Sequence, residues 1–177
     1  MTTTLTCPIP SNINPLSPNG FMFSIQKLPA LSFFCQQINL PGIMLGAPEF
    51  GNPFTTQPIP GDHLTYDQLT VQFLVDENME NYKSIYNWII ALGFPNSYDQ
   101  YTSFVDSDNR ALIGELAKNY SDGTLSILGS NNSVSQTVQF IDMFPTSIES
   151  LTFQSTNQDV QYLIGSATFR YGYYKFI

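Results

Sequence analysis

The hydrophobic period changes partway through residues 59–92, IPGDHLTYDQLTVQFLVDENMENYKSIYNWIIAL. Over residues 66–75, Leu69, Val71, Phe73 and Val75 fall on alternate positions, the pattern of a half-buried strand. Over residues 79–93 the spacing becomes three and four. Tyr82, Ile85, Trp88, Ile89 and Leu92 then share one face of an amphipathic helix. Asp76, Glu77 and Glu80 sit where the helix starts, where negative charge complements the helix dipole. Gly93 ends it and Pro95 prevents its resumption. The single Trp lies on this helix. The pattern predicts a helix that plugs a β-rich body, with these five residues as its core face.

The whole 177-residue chain suits one domain, able to bury roughly 70% of its unfolded surface. The net charge is −8. That argues against a nucleic-acid grip, which needs clustered Lys and Arg to release counterions. It does not argue against a surface past which nucleic acid must slide. Charged residues make up only 11%, well below the usual quarter, and aromatics reach 14%. A surface so poor in charge suits broad contact with other protein, although a carbohydrate-binding module has the same composition. Cys7 and Cys35 with His63 as the one histidine cannot supply an ordinary zinc site, so neither metal nor cofactor is expected. A disulfide and two buried thiols are both compatible with the pair; two buried thiols is the expectation. No signal peptide and no membrane-length apolar run is read.

Residues 1–19 hold four prolines and no charge and read as an extended N-terminal arm. A single domain of residues 20–177 follows. Residues 20–28 alternate through Phe21, Phe23 and Ile25, Pro29-Ala30 reads as a turn, and residues 31–40 return as a strand with Leu31, Phe33 and Cys35 inward. Residues 41–61 carry five prolines, four glycines and one charge, Glu49, and read as a long surface loop. The loop is also apolar, through Ile43, Met44, Leu45, Phe50, Phe54 and Ile59, so something has to cover it. Its own sheet and another protein are both candidates.

Within residues 94–122 a short helix over 111–117 is the only element read. Strands follow at 123–128 and 134–144, with Pro145 as a stop. Residues 147–154 read as a further strand with a bulge, since Ile148 and Leu151 are out of phase. Asn157-Gln158-Asp159 reads as a turn. Residues 160–176 read as one long strand, apolar on both faces, with Phe169, Tyr171 and Tyr173 facing a neighbour. The phrases at 67–72 and 149–154 are alike and raise the prospect of two related hairpin halves.

Catalytic constellations are missing from the sequence. It holds no phosphate-cradling glycine loop with its lysine and no nucleophile elbow. His63 lacks an orienting partner for a Ser or Cys nucleophile. The carboxylates at 76, 77 and 80 lack the alternate spacing of a calcium loop. The chain reads as a non-enzyme.

Several stretches, in order, resemble the tail tube proteins of contractile-tailed bacteriophages. They are Phe21-x-Phe23-x-Ile25; Phe34-Cys35 with Leu40-Pro41-Gly42-Ile43; and Ile59-Pro60-Gly61-Asp62 with Tyr66-Asp67-x-Leu69-Thr70-Val71. Asp76-Glu77 with Asn81-Tyr82 and Trp88 resembles the family's helix. Phe144-Pro145-Thr146-Ser147-Ile148 with Leu151, then Ala167-Thr168-Phe169-x-Tyr171, resembles its closing hairpin. The resemblance implies a mainly β fold with one main helix, an antiparallel β-sandwich or split β-barrel similar to the haemolysin-coregulated protein of type VI secretion.

It further implies self-association into hexameric rings that stack into a tube, with residues 41–61 reaching the adjacent ring. Sheath would lie outside; tape-measure protein and passing DNA would lie inside; baseplate or neck proteins would close the ends. The site would be the virion tail, assembled in a host cytoplasm. A negative lumen would repel DNA and let it slide. Ring closure would also remove exposed sheet edges. Two alternatives stand: a minor tube-like protein, terminator or baseplate initiator, and a carbohydrate-binding β-sandwich.

Overall fold

A computed structural model describes residues 13–51, 53–107, 119–155 and 162–177. Strands β1 (Phe21–Ile25), β7 (Leu69–Leu74), β8 (Ser121–Leu128), β9 (Val134–Ile148) and β10 (Ile164–Arg170) form the body. β2 (Cys35–Ile38) adds at one edge, so the antiparallel order runs β1-β8-β9-β10-β7-β2, and β11 (Tyr173–Phe176) pairs with β9 beside β10. The arrangement is two sheets that share β9 and stay unclosed, because β1 and β2 lie at opposite ends of the order.

β9 belongs to both sheets because it bends. Its first half pairs with β8 and β11, its second half with β10. Asp142 takes a left-handed conformation at φ 55° opposite Gly172, and there the inward-facing positions change parity, from Val138 and Phe140 to Met143 and Pro145. Pro145 therefore does not stop the strand. It pairs with Phe169, and the bulge lies next to it, where Thr146 is the extra residue and its hydroxyl donates to the Thr168 carbonyl at 3.1 Å. A bulge tolerates a residue without an N–H. The strand then ends at Ile148. Residues 149–154 are irregular, so the phrase there has no structural kinship with its look-alike, which begins β7.

The core fills the space between the sheets. Phe23, Ile25, Leu125, Val138, Phe140 and Met143 meet Leu69, Val71, Phe73, Ala167 and Phe169, all essentially inaccessible. Helix α1 (Pro29–Phe34) adds Leu31, and helix α2 (Glu80–Gly93) adds Ile85, Trp88 and Ala91. Tyr82, Ile89 and Leu92 pack half-buried against the same cluster. The Trp88 indole donates to the Asn119 carbonyl at 3.2 Å, and the Lys27 ammonium stands 5.2 Å from its ring centroid. The start of α2 is fixed by a reciprocal pair. Asn81, buried, receives the Asp76 N–H while its own N–H reaches the Asp76 carboxylate at 3.3 Å, and its amide donates to the Leu74 carbonyl at 2.7 Å.

Other expectations change. Residues 29–34 are helix rather than a turn and strand, because Pro29 at the first helical position is pre-set for a helix. Phe33 consequently points outward, 85% exposed, and β1 pairs with β8 instead of its sequence neighbour. The left-handed residue closing α2 is Phe94, one past Gly93, with its N–H on the Ile90 carbonyl. An unforeseen helix α3 (Asp99–Ser107) follows; residues 111–117 and 157–159 lie outside the described residues. The long closing strand is interrupted at Tyr171-Gly172. Cys35 is a free, half-buried thiol that burial raises to about 11; Cys7 lies outside the described residues. Of the arm, residues 13–19 are exposed and carry no strand.

Trp88→Ala leaves a void at the centre of this core, and we expect a loss of about 3–5 kcal/mol in chemical denaturation. A loss below about 1 kcal/mol would show that the helix does not brace the sheets.

Candidate assembly surface

Residues 41–61 are not a loop. The chain leaves the body at Pro41 and forms β3 (Ile43–Leu45) and β4 (Glu49–Gly51), then returns as β5 (Thr56–Pro58) and β6 (Leu64–Tyr66). β3 pairs with β6 and β4 with β5, so the segment is one two-stranded hairpin. The pairing register slips by two residues between the halves, and Gly61-Asp62-His63, facing Gly46, forms the bulge that takes up the slip. At that bulge the Gly61 N–H donates to the Gly46 carbonyl at 2.8 Å. A Cβ on Gly61 would stand 2.5 Å from the same oxygen, so only glycine fits. At about 3.4 Å per residue, the ribbon from Ile43 to Gly51 is roughly 27 Å long.

The hairpin is held at its root by aromatic side chains from the closing strand. The Tyr171 hydroxyl donates to the Asp67 carbonyl at 2.9 Å and the Tyr174 hydroxyl to the Pro41 carbonyl at 3.2 Å. One phenol therefore grips the outgoing chain and the other the returning chain. Tyr66 stands edge-on to both rings, at 5.9 and 5.7 Å, and Phe140 links the group to the core. Between the two chains the Asp67 N–H meets the Gly42 carbonyl at 3.1 Å. Partial burial, then the negative charge that Tyr174, Asp67 and Tyr66 can carry nearby, pushes the Tyr171 phenol up to about 12.

Beyond the root, nothing among the described residues covers the hairpin. Ile43, Met44, Leu45, Phe50, Phe54 and Ile59 are all exposed, Met44 at 70% and Phe54 at 98%. They do not fold back on their own sheet. Sequence reasoning missed Leu64, exposed on the return strand, and the anchoring roles of Tyr66 and Tyr174. Leu64 and Tyr66 do alternate in sequence, which was a signal for β6. Of the three residues placed on an inter-subunit face, Phe169 is corrected: it is fully buried, its ring 6.5 Å from that of Trp88, and cannot touch a partner. Tyr171 is committed to the hairpin root, and Tyr173 is exposed. Among the described residues, no group of His, Cys, Asp or Glu side chains is arranged to hold a metal ion, and no helix is long and apolar enough to cross a membrane.

Two variants probe this geometry. Gly61→Ala should open the hairpin at its bulge while the body stays folded, seen as a gain of proteolytic cleavage within residues 41–66 and unchanged far-ultraviolet dichroism. Tyr171→Phe should remove the last-titrating phenol from an absorbance titration. A raised phenol pKa contributes stability that is complete below pH 10 and fades as pH rises through about 12. The wild-type protein should therefore lose stability across that window more steeply than Tyr171→Phe; equal slopes would contradict the assignment.

A family model described as phage tail tube protein matches residues 10–177. No curated protein sequence matches significantly. Solved structures that share the fold include three from contractile injection systems. The anti-feeding prophage tube-terminating cap has a TM-score of 0.58 at 13% identity, covering 98% of this chain and 97% of that one. The anti-feeding prophage baseplate structure gives 0.57 at 12%, covering 93% and 96%. The sheath-tube complex of an extracellular contractile injection system in its extended state gives 0.55 at 16%, covering 93% of each chain. With the family model spanning all but the first nine residues, this chain belongs to the phage tail tube protein family.

Proposed function

We propose that the protein is a structural subunit of a tail tube: six copies close a ring, and rings stack through the hairpin of residues 43–66. The observation that carries this reading is the apolar hairpin, which no surface among the described residues covers. Side chains such as Phe50 and Phe54 stabilise an assembly by roughly 25 cal/mol for each Å² removed from water. Exposed, they favour aggregation instead. The edges β1 and β2, unpaired among the described residues, make the same demand for a neighbour.

The stacked rings would enclose a channel occupied first by a tape-measure protein and then by DNA, with sheath outside and baseplate or neck proteins at the ends. Net charge −8 per chain supports passage without adhesion, since a wall that repels phosphates releases no counterions on contact. The particle would be a virion tail assembled in a host cytoplasm. A second reading, a terminator or baseplate initiator, draws on the tube-terminating cap among the structures of this fold. It differs in having one ring face that does not add further rings. Of the four aromatics that could stack on sugars in the carbohydrate-binding alternative, Tyr171 and Tyr174 are turned onto the hairpin root, while Tyr173 and Phe176 stay exposed.

Deleting residues 44–58 should leave a folded body that no longer sediments as tubes. Tubes of normal length from the deletion variant would refute the stacking role.

A further inference from the structure

The methionines among the described residues differ sharply in access to solvent. Met143 is fully buried and Met79 half-buried, whereas Met22 is 59% and Met44 70% exposed. Met44 is the middle residue of β3 and stands directly across from Thr65. Side chains alternate along a ribbon, so Ile43, Leu45, Leu64 and Tyr66 share the other face. On its own face Met44 is the one apolar side chain of the β3–β6 ladder. The next positions along that face are Gly42 and Gly46, which carry no side chain to shield the thioether. Met22 lies on β1, which takes no part in the hairpin.

A thioether is flexible, polarizable and apolar, which suits it to an adaptable contact between copies. Its sulfoxide is polar and chiral. Stacking that takes Met44 out of water would strip the sulfoxide oxygen of its water partners, and a polar group desolvated without a new partner opposes association. Every oxidised copy in a ring would add the same penalty. The two exposed thioethers therefore differ in consequence. Oxidation at Met22 leaves the hairpin unchanged; oxidation at Met44 alters the stacking surface itself.

We propose that Met44 is a site of reversible sulfoxidation that decides whether a free subunit can stack. This deepens the tube reading and rests on it, since it names a chemical control of the stacking hairpin. The oxidant is a hydroperoxide, with hydrogen peroxide the simplest case. A lone pair on the Met44 Sδ attacks one peroxide oxygen, an S–O bond forms as the O–O bond breaks, and the remainder leaves as water. Sulfur loses two electrons and the peroxide gains them. Methionine sulfoxide reductases reverse the step. A dithiol supplies the two electrons and becomes a disulfide, and the oxygen departs as water. The control acts before stacking, because a neighbouring ring shields Met44 once it is covered.

The test uses the wild-type chain. Free subunits are treated briefly with hydrogen peroxide, so that most copies stay unmodified, and are then concentrated. Tubes are verified by electron microscopy and sedimented, and peptide mass spectrometry reads the sulfoxide at each methionine in pellet and supernatant. Met44 and Met22 should oxidise before Met79 and Met143. Sulfoxide at Met44 should be depleted from the pellet by at least about tenfold, while sulfoxide at Met22 divides equally. Sulfoxide reductases with a dithiol should return the supernatant chains to the pellet, with far-ultraviolet dichroism unchanged throughout. In tubes assembled before the peroxide is added, Met44 should oxidise more slowly than in free subunits. Sulfoxide at Met44 shared equally between the fractions, Met44 oxidising no faster than Met143, or equal rates at Met44 in tubes and free subunits overturns the proposal and leaves the tube reading intact. Equal depletion of sulfoxide at Met22 also overturns it, since the loss is then not specific to the hairpin. If the wild-type chain forms neither rings nor tubes, the tube reading fails and the control with it.

Discussion

A two-stranded ribbon has no interior, so its side chains can be covered only by something else. The hairpin of residues 43–66 is such a ribbon, and it carries Ile43, Met44, Leu45, Phe50, Phe54, Ile59 and Leu64 in the open. Its direction is fixed where it leaves the body. The phenols of Tyr171 and Tyr174 hold Asp67 and Pro41, the two ends of the ribbon, and the rings of Tyr66 and Phe140 lock those phenols to the core. An apolar element held out on a rigid root is pre-organised for association, since little ordering entropy remains to be lost when a partner arrives.

The root is rigid because the body behind it is. β9 and the β10–β11 segment bend together at Asp142 and Gly172 and pass from one sheet into the other. That shared bend places Tyr171 and Tyr174 over Phe140, at the one point where the hairpin emerges. Helix α2 closes the space between the sheets with Trp88 and Ile85, and its first turn is tied to the end of β7 through Asn81 and Asp76. The chain from core to hairpin to assembly is therefore continuous: Trp88 against Phe169, Phe169 on the strand that leads to Tyr171, and Tyr171 on the hairpin root.

β7 and α2 were legible in the sequence because each buries a single regular face, and Leu69, Val71 and Phe73 or Ile85 and Trp88 then recur at one period. The errors fall where two local rules compete. Pro29 fits a turn and the first position of a helix equally well, and the alternation of Leu31, Phe33 and Cys35 mimics a strand where the chain is helical. Pro145 looks like a stop in sequence because the bulge beside it, which accommodates it, depends on pairing with β10. Residues 41–61 look like a loop in sequence because Gly46, Pro48, Pro58, Pro60 and Gly61 break the alternation that marks a strand, while the ladder itself depends on the chain meeting itself again at Leu64–Tyr66. Phe169, Tyr171 and Tyr173 share one parity in sequence. The bend at Gly172 changes that parity, so Tyr174 rather than Tyr173 turns inward. The apolar content of the hairpin was legible from composition alone; its anchorage was not, because Tyr171 and Asp67 are 104 residues apart.

Electron microscopy of the purified wild-type chain tests the central claim most directly. The account predicts six-fold rings that lengthen into tubes as concentration rises, with density from one ring's hairpin reaching the next. A monodisperse monomer at all concentrations, its hairpin exposed and unpartnered, would contradict it.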